Sequence, residues 1–270
     1  MAHVPRGLIR SAFTRHLTTM ATPATVTIRG IKVPLTGASD VCERLADVVS
    51  SSPFADWVRD LDEAMVVRNI HIQSVDWFGP RVGFVKFVCD ATFNGKRIPG
   101  IVFARGGAVA ILPVLECGGA QFVLCCRQPR LPCGSSSFLE IPAGMLDGSG
   151  HFTGVAAKEM EEETGLVMYD DELVDLTALA YGNSTAGRRG VYPSVGACDE
   201  FLRLFLYRTS MSVVQLESLR GKATGNMQEN EMITLEVVPL EELWRRAPDA
   251  KTLCALHLYE RLRSAGVLPE

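Results

Sequence analysis

The segment that most constrains this chain runs from Gly106 to Leu115. It reads Gly-Gly-Ala-Val-Ala-Ile-Leu-Pro-Val-Leu and carries no charge. At about half the roughly 18 apolar residues that a membrane helix needs, it is too short to cross a bilayer and reads as a buried strand. No apolar run in the chain is longer, so a membrane span is excluded as an expectation. A buried strand needs a core around it. With 270 residues, 47% of them hydrophobic and 21% charged, the chain has material for one and is unlike a disordered sequence. At roughly 150 residues per domain, the length fits one large domain or two modest ones. The 27 basic and 31 acidic residues leave a net charge of −4. That excludes a strongly basic nucleic-acid surface as a property of the whole chain.

Strand and helix patterns mix along the rest. Thr25 to Leu35 alternates and reads as an edge strand. Ser39 to Met65 holds two short helical patterns, the second started by Pro53. Val66 to Trp77 and Arg81 to Cys89 read as strands joined through Gly79-Pro80, and Asn94-Gly95 is a second turn. Further strands are expected at Ile101 to Ala104, Ala108 to Leu115, Gln121 to Arg127, Leu173 to Tyr181, Phe201 to Tyr207 and Met232 to Pro239. Helices are expected at Phe152 to Glu163, Leu240 to Arg246 and Ala250 to Ser264. This mixture implies an α/β or α+β protein, with a boundary near Ala104 to Gly107.

The first acidic residue is Asp40. Before it stand Arg6, Arg10, Arg15, Arg29 and Lys32, hydroxyl residues, and Leu8, Ile9, Phe13 and Leu17 at helical spacing. An Arg-rich, acid-poor amphipathic leader is how a mitochondrial or plastid transit peptide is built. Residues 1–22 are therefore expected to be an organellar address, with a cytoplasmic protein as the alternative. None of the eight cysteines forms a C-x-x-C pair, and none has a histidine at zinc-finger spacing. They read as reduced, mostly buried thiols of an intracellular protein.

One helix has its charges at the wrong end. Residues 158–166 read Lys-Glu-Met-Glu-Glu-Glu-Thr-Gly-Leu, and Gly165 is a natural left-handed stop. Glu159, Glu162 and Glu163 share one face at i, i+3 and i+4, where each like-charged pair costs a few tenths of a kcal/mol. They crowd the negative end of the helix dipole, a further loss of about 0.3–1 kcal/mol each. A divalent cation reverses the sign, because hard oxygen ligands are what Mg²⁺ requires. Without one, the cluster should hold at least one raised pKa.

Gly144 lies 15 residues before Glu159, and the stretch Gly144 to Leu166 resembles the Nudix box, G-x5-E-x7-R-E-U-x-E-E-x-G-U, with U aliphatic. Gly144, Glu159, Met160, Glu162, Glu163, Gly165 and Leu166 match, Met160 standing as U. Gly150 replaces the first glutamate and Lys158 the arginine. The likeness extends over roughly residues 24–265 and is closest to plant plastid-type ADP-sugar diphosphatases. It is carried by Asp76-Trp77-Phe78-Gly79, by Pro99 to Gly106, by Pro142 to Asp147 and by Cys198-Asp199-Glu200.

The resemblance implies an α/β/α sandwich around a mixed sheet at 107–270, and a smaller β-rich subdomain at 23–106 used for dimerisation and substrate. It implies Mg²⁺-dependent hydrolysis, with Mn²⁺ as a substitute, of ADP-glucose or ADP-ribose to AMP and a sugar phosphate. The metal would be held by Glu159, Glu163 and the Ala143 carbonyl, with Glu162 a further ligand or a support to catalysis. The base would lie on the late loop Gln228-Glu229-Asn230-Glu231, with Glu231 preferred to Glu229. Trp77, Arg130 and Glu140 are the expected substrate contacts. ADP-ribose-specific members carry a marker proline about 16 residues after the box; Tyr181-Gly182-Asn183 occupies that region here, so the sugar stays open. A non-catalytic nucleotide-sugar sensor, or a hydrolase of phosphoribosyl pyrophosphate or another nucleoside diphosphate derivative, is the alternative.

Overall fold

The computed structural model describes residues 24–146, 152–182, 190–225 and 231–268. The leader at 1–22, Gly150 and Glu229 lie outside these residues. The described chain forms two sheets in succession, the first with one apolar core and the second with one on each face.

The first sheet holds β1 (Ala24–Ile28), β2 (Ile31–Gly37), β3 (Met65–Phe78), β4 (Arg81–Phe93), β5 (Lys96–Ile98) and β6 (Ile101–Ala104). Its order is β1-β2-β3-β4-β5, with β6 also paired to β4. The single edge strand expected from Thr25 to Leu35 is instead an antiparallel hairpin. Arg29 and Gly30 both take positive φ, 49° and 79°, the geometry of a two-residue turn that matches the twist of its strands. Helices α1 (Leu45–Ser50) and α2 (Ser52–Asp60) follow β2. Pro53 sits in the first turn of α2, where its missing N–H costs nothing. Phe54 and Trp57 of α2 pack edge-on against Phe87 of β4, at 5.4 and 4.7 Å between ring centres.

The second sheet holds β7 (Ala108–Cys117), β8 (Ala120–Arg130), β9 (Ser135–Glu140), β10 (Ala143–Met145), β11 (Leu173–Asp175), β12 (Leu202–Ser210), β13 (Ala223–Thr224) and β14 (Ile233–Pro239). Its main order is β11-β12-β7-β8-β14-β13. β12 runs parallel to β7, and the other pairings are antiparallel, so the sheet is mixed. Helices α3 (Phe152–Thr164), α4 (Leu176–Tyr181), α5 (Val213–Leu219), α6 (Leu243–Arg246) and α7 (Ala250–Ser264) surround it.

The opening run of Gly106 to Leu115 is the middle of this sheet. Ala108, Ala110, Leu112 and Val114 join one core with residues of α4 and α7. Val109, Ile111 and Leu115 join the other with Val155, Ala156 and Met160 of α3 and Leu216 and Leu219 of α5. A strand covered on both faces has no polar alternation, which is why β7 reads as one apolar run. Truncating a fully buried side chain here, such as Ile111, costs about 2–5 kcal/mol.

The edge of β7 is shared. Ala108 to Ala110 pair with β10, and Val114 to Cys117 pair with β8. Between them the Ile111 N–H donates to the Pro142 carbonyl at 3.0 Å. β8 likewise leaves β7 and pairs with β9 through Cys126–Glu140. The segment from Glu140 to Ala143 is thereby stitched into the divergence of β7 and β8.

Leu173 to Tyr181 is not one strand. β11 ends at Asp175, whose carboxylate accepts the Ala178 N–H at 2.7 Å and caps α4. Leu240 to Arg246 begins with a 3₁₀ turn and only then becomes α6. α5, which the apolar pattern did not reveal, starts with a capping box in which Ser212 and Gln215 exchange hydrogen bonds.

Residues 105–107 join the two sheets. The Asp199 carboxylate accepts the N–H groups of Arg105 (2.8 Å) and Gly106 (3.2 Å), and Phe103 donates to the Ala197 carbonyl at 2.7 Å. A Cβ on Gly107 would lie 2.3 Å from the Phe201 ring, so only glycine passes. All eight cysteines are free thiols; Cys133 is exposed, and Cys89, Cys117, Cys125 and Cys126 are buried. No helix among the described residues is long and apolar enough to cross a membrane.

Candidate active site

The C-terminal half of α3 carries the carboxylates, and β10 passes beneath it. Gly165 takes φ 73° and donates to the Glu161 carbonyl at 2.8 Å, which ends the helix where the sequence places its stop. A Cβ on Gly144 would fall 1.8 Å from Cδ of Glu159. Glycine is therefore required there for the Glu159 carboxylate to lie against the strand. One residue earlier, the Ala143 N–H donates to Oε2 of Glu163 at 3.1 Å. The Cys126 thiol, 3.6 Å away on β8, donates to the same oxygen. Burial holds that thiol protonated, aided by the Glu163 charge.

Glu163 is buried, with 4% of its surface exposed. Burial pushes its carboxyl up to about 8 from the ordinary 4.5. The nearby charges of Glu159, Glu140 and Glu231 add to the rise, and the Ala143 N–H opposes it. The raised group expected of the cluster is thus Glu163. Glu162, on the more open side, meets Lys158 at 3.4 Å. Lys158 occupies the arginine position of the box and neutralises a neighbour there, at the i, i+4 spacing.

A second charged group lines the same cleft, centred on Glu140, whose charge acts on Glu163. Glu140, 2% exposed, accepts from Nε of Arg130 at 2.6 Å through Oε1. Its other oxygen accepts from the Lys251 ammonium. Lys251 also lies 3.2 Å from Asp249, the residue that caps α7. Lys251 was not visible as a site residue because 111 residues separate it from Glu140.

Trp77 lies near the tip of the β3–β4 hairpin. The Arg44 guanidinium sits 3.4 Å above its ring centre, and Arg44 is itself held by Asp47 at 2.9 Å. One cleft of about 1,810 Å³ is lined by Trp77, Arg130, Glu140, Ala143, Glu159, Glu162, Glu163 and Glu231 together. Arg105, Arg203 and Lys251 line it as well. Every expected site residue within the described parts of the chain borders this space. Glu231 reaches it where Gly225, at φ 98°, lets the Glu231 carbonyl pass 2.9 Å from where a Cβ would stand.

Among the described residues, no three histidine, cysteine, aspartate or glutamate side chains converge closely enough to cage a metal ion. The donor chemistry nonetheless fits a hard cation. Glu159 and Glu163 are oxygen donors on one helix face, their mutual repulsion raises the proton affinity of Glu163, and a divalent ion relieves that repulsion.

Comparison with known proteins agrees with this geometry. Residues 104–259 match the model of the NUDIX domain. Nudix hydrolase 14, chloroplastic, of Arabidopsis thaliana is 41% identical over 233 residues, 82% of this chain and 74% of that protein. ADP-ribose pyrophosphatase of Bacillus subtilis (strain 168) is 31% identical over 177 residues, 64% of this chain and 81% of that protein. Among solved structures, one described as an ADP compounds hydrolase superposes with a TM-score of 0.50 at 17% identity. It covers 76% of this chain and 98% of its own, a likeness of fold alone.

Proposed function

The chain belongs to the Nudix hydrolase family, which acts on pyrophosphate bonds, and from that premise we propose that it cleaves ADP-sugars, ADP-glucose or ADP-ribose, to AMP and a sugar phosphate. The observation that carries this reading is the carboxylate pair of α3. Glu163, buried and lifted to about 8, shares one face of α3 with Glu159, which lies against Gly144, and both line a cleft that Arg105, Arg130, Arg203 and Lys251 also line. A B. subtilis relative named as an ADP-ribose pyrophosphatase supports the substrate class.

In this reading Glu159, Glu163 and the Ala143 carbonyl hold Mg²⁺, or Mn²⁺ in its place, and Glu162 supports them. When bound, the metal supplies charge neutralisation for the pyrophosphate oxygens and acidifies a water. Arg130 takes substrate oxygen atoms, and Trp77 offers a ring face to the adenine. Glu231 takes the proton of the attacking water, with Glu229 the second choice. The water oxygen bonds to one phosphorus as the bridging P–O bond breaks, and the two phosphate products leave. Residues 23–106 serve dimerisation and substrate binding, residues 107–270 carry the chemistry, and residues 1–22 are an organellar address. The relative from A. thaliana named as chloroplastic supports the address.

The test is a panel of ADP-glucose, ADP-ribose, phosphoribosyl pyrophosphate and other nucleoside diphosphate derivatives, incubated with purified protein and Mg²⁺, with products identified by chromatography. AMP is expected from at least one ADP-sugar, and Glu163→Gln is expected to abolish its release. Tight binding of every ADP-sugar without AMP would overturn the reading and favour a sensor.

A further inference from the structure

α7 begins with a cation in the wrong place. Lys251 is the second residue of the helix, where unpaired N–H groups make the dipole end positive and a lysine is disfavoured. Its side chain is only 14% exposed, so it is not a solvated surface charge. Two carboxylates hold it there: Glu140, and Asp249, which also caps the helix. Glu140 in turn holds Arg130 through its other oxygen. One nearly inaccessible carboxylate on β9 thus fixes two cations, one from β8 and one from α7, side by side at the cleft.

We propose that Lys251 is a phosphate-binding residue of this site, paired with Arg130, and that Glu140 positions both cations instead of touching substrate. The inference rests on the pyrophosphatase reading and extends it. An ionised carboxylate facing a phosphate would repel it, whereas Glu140 already has each oxygen committed to a cation. The ammonium has three donor hydrogens, and its contacts among the described residues are two carboxylates, which leaves donor capacity on a side chain that lines the cleft. Arg130 gives Nε to Glu140, and among the described residues both terminal nitrogens of its fork are left for an anion. Glu140 ties the pair to the carboxylates of α3. Glu140 lies three residues before Ala143, whose N–H meets Glu163, and its charge acts on Glu163. Lys251, Arg130, Glu159 and Glu163 line the same cleft, so a pyrophosphate bound there shares one space with all four side chains.

The experiment measures the affinity of inorganic pyrophosphate by calorimetry, and kcat and KM for whichever ADP-sugar the wild-type protein cleaves. The variants are Lys251→Gln, Lys251→Met and Lys251→Arg. Glutamine keeps a donor for Glu140 and is the variant least prone to unfold. Lys251→Gln and Lys251→Met are expected to weaken pyrophosphate about tenfold and to raise KM by a similar factor with kcat nearly unchanged, as for an interaction common to ground and transition states. Lys251→Arg should restore both to within a few-fold. Glu140→Gln should weaken pyrophosphate as well, although it removes a negative charge from the site; a direct repulsive role for Glu140 would strengthen it. Wild-type pyrophosphate affinity and KM in folded Lys251→Gln overturn the inference while leaving the pyrophosphatase reading intact. Absence of AMP from the wild-type protein overturns that reading without bearing on the pyrophosphate measurement.

Discussion

At the scale of single residues, two positions carry consequences that can be measured directly. Glu163 has a folded-state pKa near 8 against 4.5 in the unfolded chain. The folded state then holds a proton that the unfolded state releases, so the contribution to stability is present in full below about pH 4.5 and is lost as pH rises toward 8. Metal-free protein is therefore expected to melt progressively lower between pH 5 and pH 8. Glu163→Gln should flatten that dependence, and Mg²⁺ should restore stability most at the alkaline end; thermal melts with and without chelator check all three. Gly144 is the other position. The Cβ of Gly144→Ala would occupy the space of the Glu159 carboxyl, so that side chain must move by an ångström or more. A displacement of that size costs about 10²-fold in rate. Steady-state kinetics on AMP release should show that loss with the fold retained.

At the scale of elements, caps decide what the apolar pattern leaves undecided. Asp175 interrupts a stretch that alternates like a strand, and its carboxylate turns the chain into α4 while also pairing with Arg203 of β12. Asp175→Ala is expected to cost about 1–2 kcal/mol through the lost cap alone, read as a lower urea midpoint at constant slope. The same position explains what the sequence concealed. A mid-run aspartate is compatible with an exposed strand residue, and only the hydrogen bond to Ala178 tells the two apart. Arg29 hid the β1–β2 hairpin for a related reason, since arginine rarely takes positive φ and the Arg-Gly pair lacks the Asn-Gly signature visible at Asn94-Gly95. By contrast, the start of β7 and the extent of α3 and α7 were legible, to within a residue, from the apolar pattern and Gly165. The carboxylates of α3 were legible because their spacing is local. The burial of Glu163, the saturation of Glu140 and the approach of Lys251 were not, because each depends on strands and helices brought together from distant parts of the chain.

At the scale of the whole molecule, the cleft belongs to both sheets, and three residues join them. The Asp199 carboxylate, lifted in pKa mainly by its burial, satisfies two amides of that junction. Asp199→Ala strands both N–H groups, a loss of about 1–3 kcal/mol. It should accelerate trypsin cleavage after Arg105 and raise KM more than it lowers kcat, because the carboxylates of α3 remain seated on β10. Proteolysis followed by mass spectrometry, beside the kinetics, checks this. The walls of the cleft also differ in how they are encoded. The carboxylate wall and the Glu140 to Ala143 stitch depend on counting: inserting or deleting one residue there would swap which side of the strand faces Glu163. The opposite wall, built from α1, α2 and the Trp77 hairpin, lies more than fifty residues earlier in the chain and shares no strand pairing with it. Substitutions in the first hundred residues can thus change what the cleft admits while the carboxylate wall keeps its length and register.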